Sequence, residues 1–451
     1  MQNTRVGFIC FGEVNTPRQI IERKCGEAKR LLEERGIELV ATDPVSDDAE
    51  GRDVARAIDA LLGKDFDLLI LCVAGWIPSH AVISVADPFS HKPMLLWGLA
   101  GWMEKGRLLT TADQAGTSAL RKSFADMGYR YKYVYNSVDA PPRVDAVEEF
   151  ARAARASSLL RRSKLGMMGF RDMNLYTTLY DGASLRRKIG PEVEVFEMLE
   201  IVQRMERLER QEIQRLLNEI KSSWTFEKEA QDELLEKGAR FYLAIRERVK
   251  ERGYQAVSLI DVDGMKKLAG FPPAMIFMLL SDRDRVATIP ENDVLGGITQ
   301  LMVMYLTGQI AAYMEFYEFM TDRLLVGVPD FVPSELVEGP VRVMPTSFGQ
   351  LSGSLLNVSQ VKTGRVTLCR LGSTGDRYMM HILTGEAITP RKWEEVGWEP
   401  PAPQLPGLEI VLDSPVEEFA QKVLSQHYIL SYGDNSKALG DLCGLLGVEI
   451  I

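Results

Sequence analysis

The first 160 residues alternate short apolar runs with longer stretches in which apolar residues recur at helical spacing. The apolar runs are predicted strands, and they cover residues 5–11, 37–43, 67–75, 93–99 and 131–136. The amphipathic stretches, such as 18–36 and 144–162, are predicted helices. Strands that alternate with helices form a parallel sheet with helices on both faces. The pattern therefore predicts a doubly wound α/β domain of the Rossmann or flavodoxin kind at residues 1–162.

The same alternation starts again at residue 164. Predicted strands cover residues 164–170, 193–199, 256–262, 285–289 and 310–314. Between Glu200 and Gly253 lies a long, highly charged helical region, whose charges are expected to form a solvated face rather than a site. We therefore predict a second doubly wound domain at residues 163–330, and we expect it to carry the acidic residues discussed below.

After Gly327 the helical periodicity disappears. A proline-rich stretch at 326–345 is followed by short strands with glycine turns, and a helix, a strand and a last helix finish the chain. This pattern of short strands and glycine turns predicts a β-rich, barrel-like C-terminal domain at residues 331–451. The expected fold class is therefore α/β, with two doubly wound parallel-sheet domains followed by this β-rich domain.

Residues 289–315 form a long run with almost no charge. Pro290 suits the first turn of a helix, and Asn292 or Asp293 suits the N-cap. The helix is expected to stop at Gly308. The strand that follows is predicted to run parallel to the strand before the helix, so that the whole segment is one strand–helix–strand crossover.

An acidic residue follows each strand of this crossover, Glu291 after the first and Glu315 after the second. Parallel strands end at one edge of a sheet, so both carboxylates are expected there, about 4.8 Å apart or about twice that. Two carboxylates so close can share a divalent cation, which removes their repulsion. In the structural alternative, Glu291 and Asp293 only favour a helix N-terminus and Glu315 is a surface acid.

Charge and apolar length bear on several classes of function. A net charge of -10 without a basic stripe argues against nucleic acid or an anionic membrane as a partner.

Val294–Met314 is long enough to span a bilayer, but glycine, threonine and glutamine interrupt it, so a buried helix and strand are expected instead. The cysteines are scattered without a paired spacing, and the first residues lack the features of a signal peptide. A cytoplasmic protein is expected.

A third metal ligand is expected from one of the 4 histidines. His427 lies near the start of a predicted strand close to the C-terminus and is the candidate, with a structural role as the alternative. His381, flanked by Met380 and Ile382, is expected to pack in a core. Hard carboxylate oxygens with one imidazole suit Mn²⁺, with Mg²⁺ and Co²⁺ as alternatives.

Five segments carry a resemblance to a known family. They are "LCVAGWIPSHAVIS" (71–84), "KPMLLWGL" (92–99), "KLGMMGFRDM" (164–173), "ENDVLGGITQLMVMYLTGQIAAYME" (291–315) and "QHYILSYGDNSKALGDLCGLLGVEI" (426–450). Through them the chain resembles the L-fucose isomerase and L-arabinose isomerase superfamily of metal-dependent aldose–ketose isomerases over nearly its whole length. The resemblance implies a homo-oligomer, trimeric or hexameric, with active sites at subunit interfaces, where the first domain reaches a neighbour's metal site.

The resemblance also implies roles for single residues. The family's metal triad falls on Glu291, Glu315 and His427, which includes the two acids reached from the chain pattern. Trp76 matches a tryptophan that packs on the sugar in fucose isomerases. Gln426 stands where those enzymes carry a polar residue that contacts substrate.

Three positions depart from the family pattern. Fucose isomerases usually carry Asp where this chain has Glu315, and the second histidine ligand of the arabinose branch is missing between Glu315 and Ser354. Residues 344–354 ("MPTSFGQLSGS") stand where many relatives have His-Cys-Gly. This loop, with Arg18 or Arg186 nearby, would suit an acidic sugar such as sulfoquinovose; a plain flexible loop is the alternative. These departures leave the identity of the sugar substrate undetermined.

The expected reaction converts an open-chain aldose into its ketose through a cis-enediol. One of Glu291 and Glu315 takes the proton from C2. Trp76 is expected to stack on the sugar, and His80 to bond a sugar hydroxyl or assist ring opening, with a structural role as its alternative. Two other classes stay open: a non-catalytic sugar-binding protein, and a metal-dependent aldolase or dehydratase that uses the same ligands.

Overall fold

A computed structural model describes residues 4–328, 331–347, 353–391 and 407–451 of the 451-residue chain. The chain divides into two compact units, Met1–Ser158 with Gly444–Leu446, and Leu159–Cys443 with Gly447–Ile451. The three-domain division predicted from the sequence remains a prediction.

The first unit is built on a five-stranded parallel sheet of strand order β2-β1-β3-β4-β7. Its strands are β1 (Arg5–Phe11), β2 (Glu38–Ala41), β3 (Leu68–Val73), β4 (Met94–Gly98) and β7 (Tyr131–Tyr135), and β5 (Trp102–Glu104) pairs with β6 (Arg107–Leu109) as a separate hairpin. The helices are α1 (Arg18–Glu33), α2 (Arg52–Leu61), α3 (Ser79–Ala86), α4 (Asp113–Asp126) and α5 (Val144–Arg162). The central strands β3 and β4 are buried along their whole length, as expected for a sheet covered on both faces.

The second unit begins with a four-stranded parallel sheet of order β12-β11-β8-β9. Its strands are β8 (Lys164–Met168), β9 (Glu192–Phe196), β11 (Ala256–Leu259) and β12 (Ala287–Ile289). Its helices are α6 (Gly182–Lys188), α7 (Met198–Met205), α8 (Arg210–Ser223), α9 (Asp232–Arg252), α10 (Ala274–Asp284) and α11 (Val294–Thr307). A separate small sheet consists of β10 (Thr225–Phe226), β15 (Arg342–Ser347) and β16 (Gly353–Asn357).

The second unit also contains a closed six-stranded antiparallel barrel. Its strands are β13 (Ala312–Phe319), β14 (Leu324–Gly327), β17 (Gly364–Thr374), β18 (Arg377–Ile388), β19 (Gly407–Leu412) and β20 (His427–Tyr432). The order β17-β20-β13-β14-β19-β18 closes through the β17–β18 pair, and β21 (Glu449–Ile450) is added to β18. The helix α12 (Val416–Lys422) precedes β20, and the helix α13 (Ser436–Leu446) lies between β20 and β21. The predicted fold class, parallel α/β sheets followed by a barrel, is confirmed.

One part of the topology prediction is wrong. The strand after α11 was expected to be the next parallel strand of the sheet, but β13 pairs antiparallel with β14 and with β20 inside the barrel. A short apolar run has the same appearance in a parallel sheet and in a barrel wall, so its pattern does not specify its partner. The segment is therefore a connection from the sheet to the barrel rather than a crossover within one sheet.

Helix α11 explains why this segment is so apolar. It packs against β8, β11 and β12 of the parallel sheet and also against β17 and β20 of the barrel. A helix covered on several sides is hydrophobic all round. Asp293 caps its start by accepting from the amide of Gly296, and Gly308 ends it with a φ of 74°. Among the described residues, no helix combines the length and apolar character needed to cross a bilayer.

The prediction that His381 packs in a core is confirmed. Its side chain is buried in the barrel, its Nδ1 lies 2.8 Å from the hydroxyl of Tyr428, and its ring stacks on Phe419. Burial, with a smaller contribution from the charge of Lys422, lowers the pKa of His381 to about 4. The imidazole is therefore neutral in the folded protein at neutral pH.

This depressed pKa predicts a loss of stability in acid. The unfolded chain takes up a proton on His381 near its ordinary pKa of about 6.5, whereas the folded chain resists until about pH 4. The free energy of unfolding should therefore fall as the pH drops through this window, by up to about 1.4 kcal/mol per pH unit. Denaturant unfolding of the wild type and His381→Gln between pH 7.5 and 4.5 measures the difference, and parallel pH curves would contradict it.

Candidate metal centre

Glu291, Glu315 and His427 converge in the second unit. Each offers one ligand atom, and these three atoms all lie within 4.8 Å of one another. His427 Nε2 is 3.1 Å from Glu315 Oε1 and 3.7 Å from Glu291 Oε2. The side chain of His427 is fully buried, and those of Glu291 and Glu315 are 13% and 22% exposed, so the site opens on the side of the carboxylates.

The loop between β12 and α11 holds Glu291 in place. Glu291 and Asn292 have φ values of 62° and 55°, a left-handed conformation that is uncommon for such residues. Asn292 stabilises it: its amide N–H donates to the carbonyl of Leu259, and its Nδ2 donates to the carbonyl of Met168. The ends of β8 and β11 thereby fix the loop in a backbone conformation that persists only where the surrounding structure enforces it.

Glu315 and His427 reach the site from neighbouring barrel strands. They are directly opposite each other in the antiparallel register of β13 and β20. Side chains of such a pair stand close together on one face of the sheet. The barrel therefore supplies two of the three donors, and the loop after β12 supplies the third.

A buried ion pair orients His427. Asp293 Oδ2 accepts from His427 Nδ1 at 2.9 Å, while Arg370 donates to both carboxylate oxygens of Asp293, at 2.6 and 2.7 Å. Asp293 and Arg370 are at most 1% exposed. With Nδ1 held by a carboxylate, Nε2 is directed at the two glutamates, as in metal-binding histidines.

Gly296 makes room for this ion pair. A Cβ at position 296 would lie 2.5 Å from Arg370 Nη1 and 2.6 Å from Asp293 Oδ2, too close for any side chain. The glycine that interrupts the apolar run is therefore a packing requirement of the centre.

From the sequence, Asp293 was predicted only as a helix cap, and Arg370 was not predicted as part of the centre. Asp293 performs both roles, because one oxygen also accepts from Gly296 while the carboxylate holds the arginine and the imidazole. The available signal was Arg370 itself, a charged residue within the apolar strand "VTLCRLG". Charged residues are almost never fully buried unless they are paired.

The electrostatics of the centre follow from these contacts. Burial lowers the pKa of His427, but hydrogen bonds to Asp293 and Glu315 outweigh it and raise that pKa to about 10. Burial raises the pKa of Asp293, yet the charge of Arg370 and the hydrogen bond from His427 hold it well below its usual range. Both flanking acids therefore favour the protonated form of His427, and a bound cation would take the place of that proton.

The donor set fits a hard divalent cation. Two carboxylates and one imidazole nitrogen are the ligands that Mn²⁺ accepts, and their open side leaves positions for water or for substrate oxygens. Three donors within 4.8 Å of one another are close enough to contact one ion together.

The remaining predicted site residues lie in different places. Gln426 lies beside the centre, and its Nε2 donates to Glu291 Oε2 at 3.0 Å, so its predicted contact with substrate remains a prediction. Trp76 and His80 belong to the first unit, where Trp76 is exposed just after β3 and His80 is exposed at the start of α3. Of the loop 344–354, residues 348–352 lie outside the described residues.

The two arginines considered for an acidic substrate are engaged elsewhere. Arg18 pairs with Glu22 at 3.0 Å in the first unit. Arg186 donates to the carbonyl of Arg161 at 2.9 Å and forms an ion pair with Glu192 at 3.5 Å in the second. Their contacts give no support to a role in recognising an anion.

Comparisons with solved structures show only distant likeness. An isoflavone reductase is 12% identical, with a TM-score of 0.20 over 46% of this chain and 83% of its own. A solute-binding protein of an ABC transporter from Burkholderia multivorans is 11% identical, with a TM-score of 0.19 over 69% of this chain and 95% of its own. The arabinose-binding protein of Shewanella sp. ANA-3 is 11% identical, with a TM-score of 0.17 over 68% and 87%. At these values the likeness carries no argument about function.

A search of curated proteins returns no match. A family model, however, matches residues 173–278, and it describes the central domain of L-arabinose isomerase. The matched segment runs from the loop after β8 into the first half of α10 in the second unit. The match supports an arabinose/fucose isomerase-like family for this chain, and with it the activity of a sugar isomerase.

Proposed function

We propose that this protein is a divalent-metal-dependent aldose–ketose isomerase of the fucose and arabinose type, with Mn²⁺ as its metal. The observation that carries the proposal is the convergence of Glu291, Glu315 and His427, with His427 directed at the two acids by Asp293. A non-catalytic sugar-binding protein has no need for such a set of donors. The match to an arabinose isomerase domain adds support for isomerisation over an aldolase or dehydratase reaction.

In this proposal, Glu291, Glu315 and His427 would hold the metal, which would supply a Lewis acid for the carbonyl oxygen of the open-chain sugar. One of the two carboxylates removes the proton from C2, and the carbonyl oxygen O1 takes up a proton from solvent, which gives a cis-enediol. The carboxylic acid formed returns its proton to C1, and the C2 hydroxyl releases its own proton to solvent. Carbon and oxygen atoms are conserved, and only protons move.

Other residues would orient the reacting groups. Gln426, which donates to Glu291, would restrain that carboxylate and contact a sugar hydroxyl. Trp76 would stack on the sugar and His80 would bond a hydroxyl, contributed by the first unit of a neighbouring chain. The proposal therefore includes a cytoplasmic homo-oligomer, a trimer or a hexamer, with active sites at subunit interfaces.

Removal and return of the metal test the proposal. The purified protein is stripped with a chelator, divided, and supplied with Mn²⁺, Mg²⁺, Co²⁺ or buffer. Ketose formation from a panel of aldoses should disappear after stripping and return best with Mn²⁺. The melting temperature should rise with Mn²⁺, because an ion that binds only the folded state stabilises it.

A matched control separates metal binding from general salt effects. His427→Gln should lose the Mn²⁺-induced rise in melting temperature, whereas His91→Gln, a change at an exposed histidine of the first unit, should retain it. Undiminished ketose formation by the stripped protein would reject the proposal.

A further inference from the structure

The loop after β8, residues 169–178, lies at the carboxyl edge of the parallel sheet and is fastened to the centre at both ends. At its start, the last carbonyl of β8 accepts from Nδ2 of Asn292, which follows Glu291, at 2.8 Å. Near its end, Thr177 donates to Gln426 at 3.3 Å, and Gln426 donates to Glu291 at 3.0 Å. The loop therefore borders the centre.

Asp172 fixes the backbone inside this loop. Its fully buried carboxylate accepts from the amides of Met173, Val262 and Asp263, at 3.1, 2.7 and 2.7 Å. Met173 and Asn174 have φ values of 46° and 55°. Two consecutive left-handed residues other than glycine are costly, and they persist where the surrounding structure enforces them. The loop is thus a shaped element with fixed contacts.

Arg171 is the cation that this loop presents. Its guanidinium lies 5.1 Å over the ring of Tyr176 and donates to Asn174 Oδ1 at 3.0 Å. Among the residues that the structure describes, no carboxylate pairs with Arg171. The neighbouring acids already have partners. Asp172 accepts hydrogen bonds from backbone amides, and Asp263 forms an ion pair with Lys267 at 2.7 Å. Tyr176 is 79% exposed beside it.

We infer that this loop selects the substrate, and that Arg171 binds an anionic group at the end of the sugar remote from its carbonyl. The inference rests on the proposed function, because it concerns the substrate of the same site. A half-buried guanidinium without a carboxylate partner keeps most of its donors for a carboxylate, sulfonate or phosphate. The exposed ring of Tyr176 adds an apolar face for the sugar carbons. The substrate class is an open-chain aldose with an anionic terminal group.

Four aldohexoses test this inference on the Mn²⁺-loaded full chain: a neutral sugar and sugars with a carboxylate, a sulfonate or a phosphate at C6. At least one anionic sugar should have a kcat/KM about 30-fold above the neutral one, the value expected for a charge-assisted contact. Arg171→Gln should lower this anionic-to-neutral ratio about 30-fold, mainly through KM, and Arg171→Lys should lower it less. Arg187→Gln, at a surface arginine paired with Asp376, should leave it unchanged.

A binding measurement separates this inference from the proposed function. A hexitol and its 6-phosphate, 6-sulfonate and 6-carboxylate analogues are titrated calorimetrically into the wild type and into Arg171→Gln with matched melting temperature. Tighter binding of an anionic polyol that depends on Arg171, without ketose formation from any sugar, would uphold the inference and reject the isomerase. Equal affinity for neutral and anionic polyols would overturn the inference, whether or not isomerisation occurs. So would an anionic-to-neutral ratio of affinities that is the same in Arg171→Gln and in the wild type.

Discussion

Glu315→Gln should lower kcat for ketose formation by at least about 10³-fold, in the range expected when a carboxylate that transfers a proton is removed. The substitution keeps the size of the side chain but removes the charge that faces His427 Nε2 at 3.1 Å. It also removes a ligand from the cation, so the affinity for Mn²⁺ should fall in the same variant. Steady-state kinetics at saturating Mn²⁺, with a Mn²⁺ titration of each protein, measure the two effects separately.

Two further variants sharpen this prediction. Glu318→Gln changes an exposed glutamate of the same strand and should keep full activity. Glu315→Asp keeps the charge, so it should retain metal binding while shifting kcat. Wild-type kcat in Glu315→Gln would remove Glu315 from the reaction.

Arg370→Met should destabilise the protein by about 3–5 kcal/mol, the cost of leaving one charge of a buried pair without its partner. Asp293, which is fully buried, would keep only the hydrogen bonds from His427 and from the amide of Gly296. Denaturant unfolding measures the loss. Arg365→Met, in the same strand, removes a partly exposed arginine that pairs with Asp413, and it should cost no more than about 1 kcal/mol.

The double variant Asp293→Asn with Arg370→Met tests the role of the pair in metal binding. Removing both charges should recover most of the lost stability, since an apolar or neutral replacement of a buried pair is often tolerated. The affinity for Mn²⁺ should stay about 10–100-fold below that of the wild type, because His427 has lost the carboxylate that orients it. Recovery of stability and of affinity together would show that the pair is only structural.

The sequence predicted the two sheets well, because buried strands such as β3 and β4 are continuous apolar runs bounded by turns. The sequence also indicated that Glu291 and Glu315 lie close together, but the parallel crossover from which this was predicted is not present. The two acids do not share one edge of one sheet; β13 lies in the barrel and brings Glu315 opposite His427. One of the two partners of β13 is β20, in which His427 lies 112 positions after Glu315, and the local pattern of β13 does not specify that pairing.

The arrangement around His427 was also beyond the local pattern. Asp293, Arg370 and His427 are far apart in the chain, and their contact depends on α11 packing against β17 and β20. A cap at Asp293 was predictable from its position before an apolar helix, and this cap is present. Its contacts with Arg370 and His427 were not predictable in this way, because they depend on long-range packing.

The donors of the centre come from two layers that fold by different contacts: Glu291 from the edge of the parallel sheet, and Glu315 with His427 from the barrel wall. A nascent chain in which only one layer has formed has no more than two of the three donors in place. In the proposed function, one ion held by all three donors would link the edge of the parallel sheet to the barrel wall, in addition to the packing of both on α11.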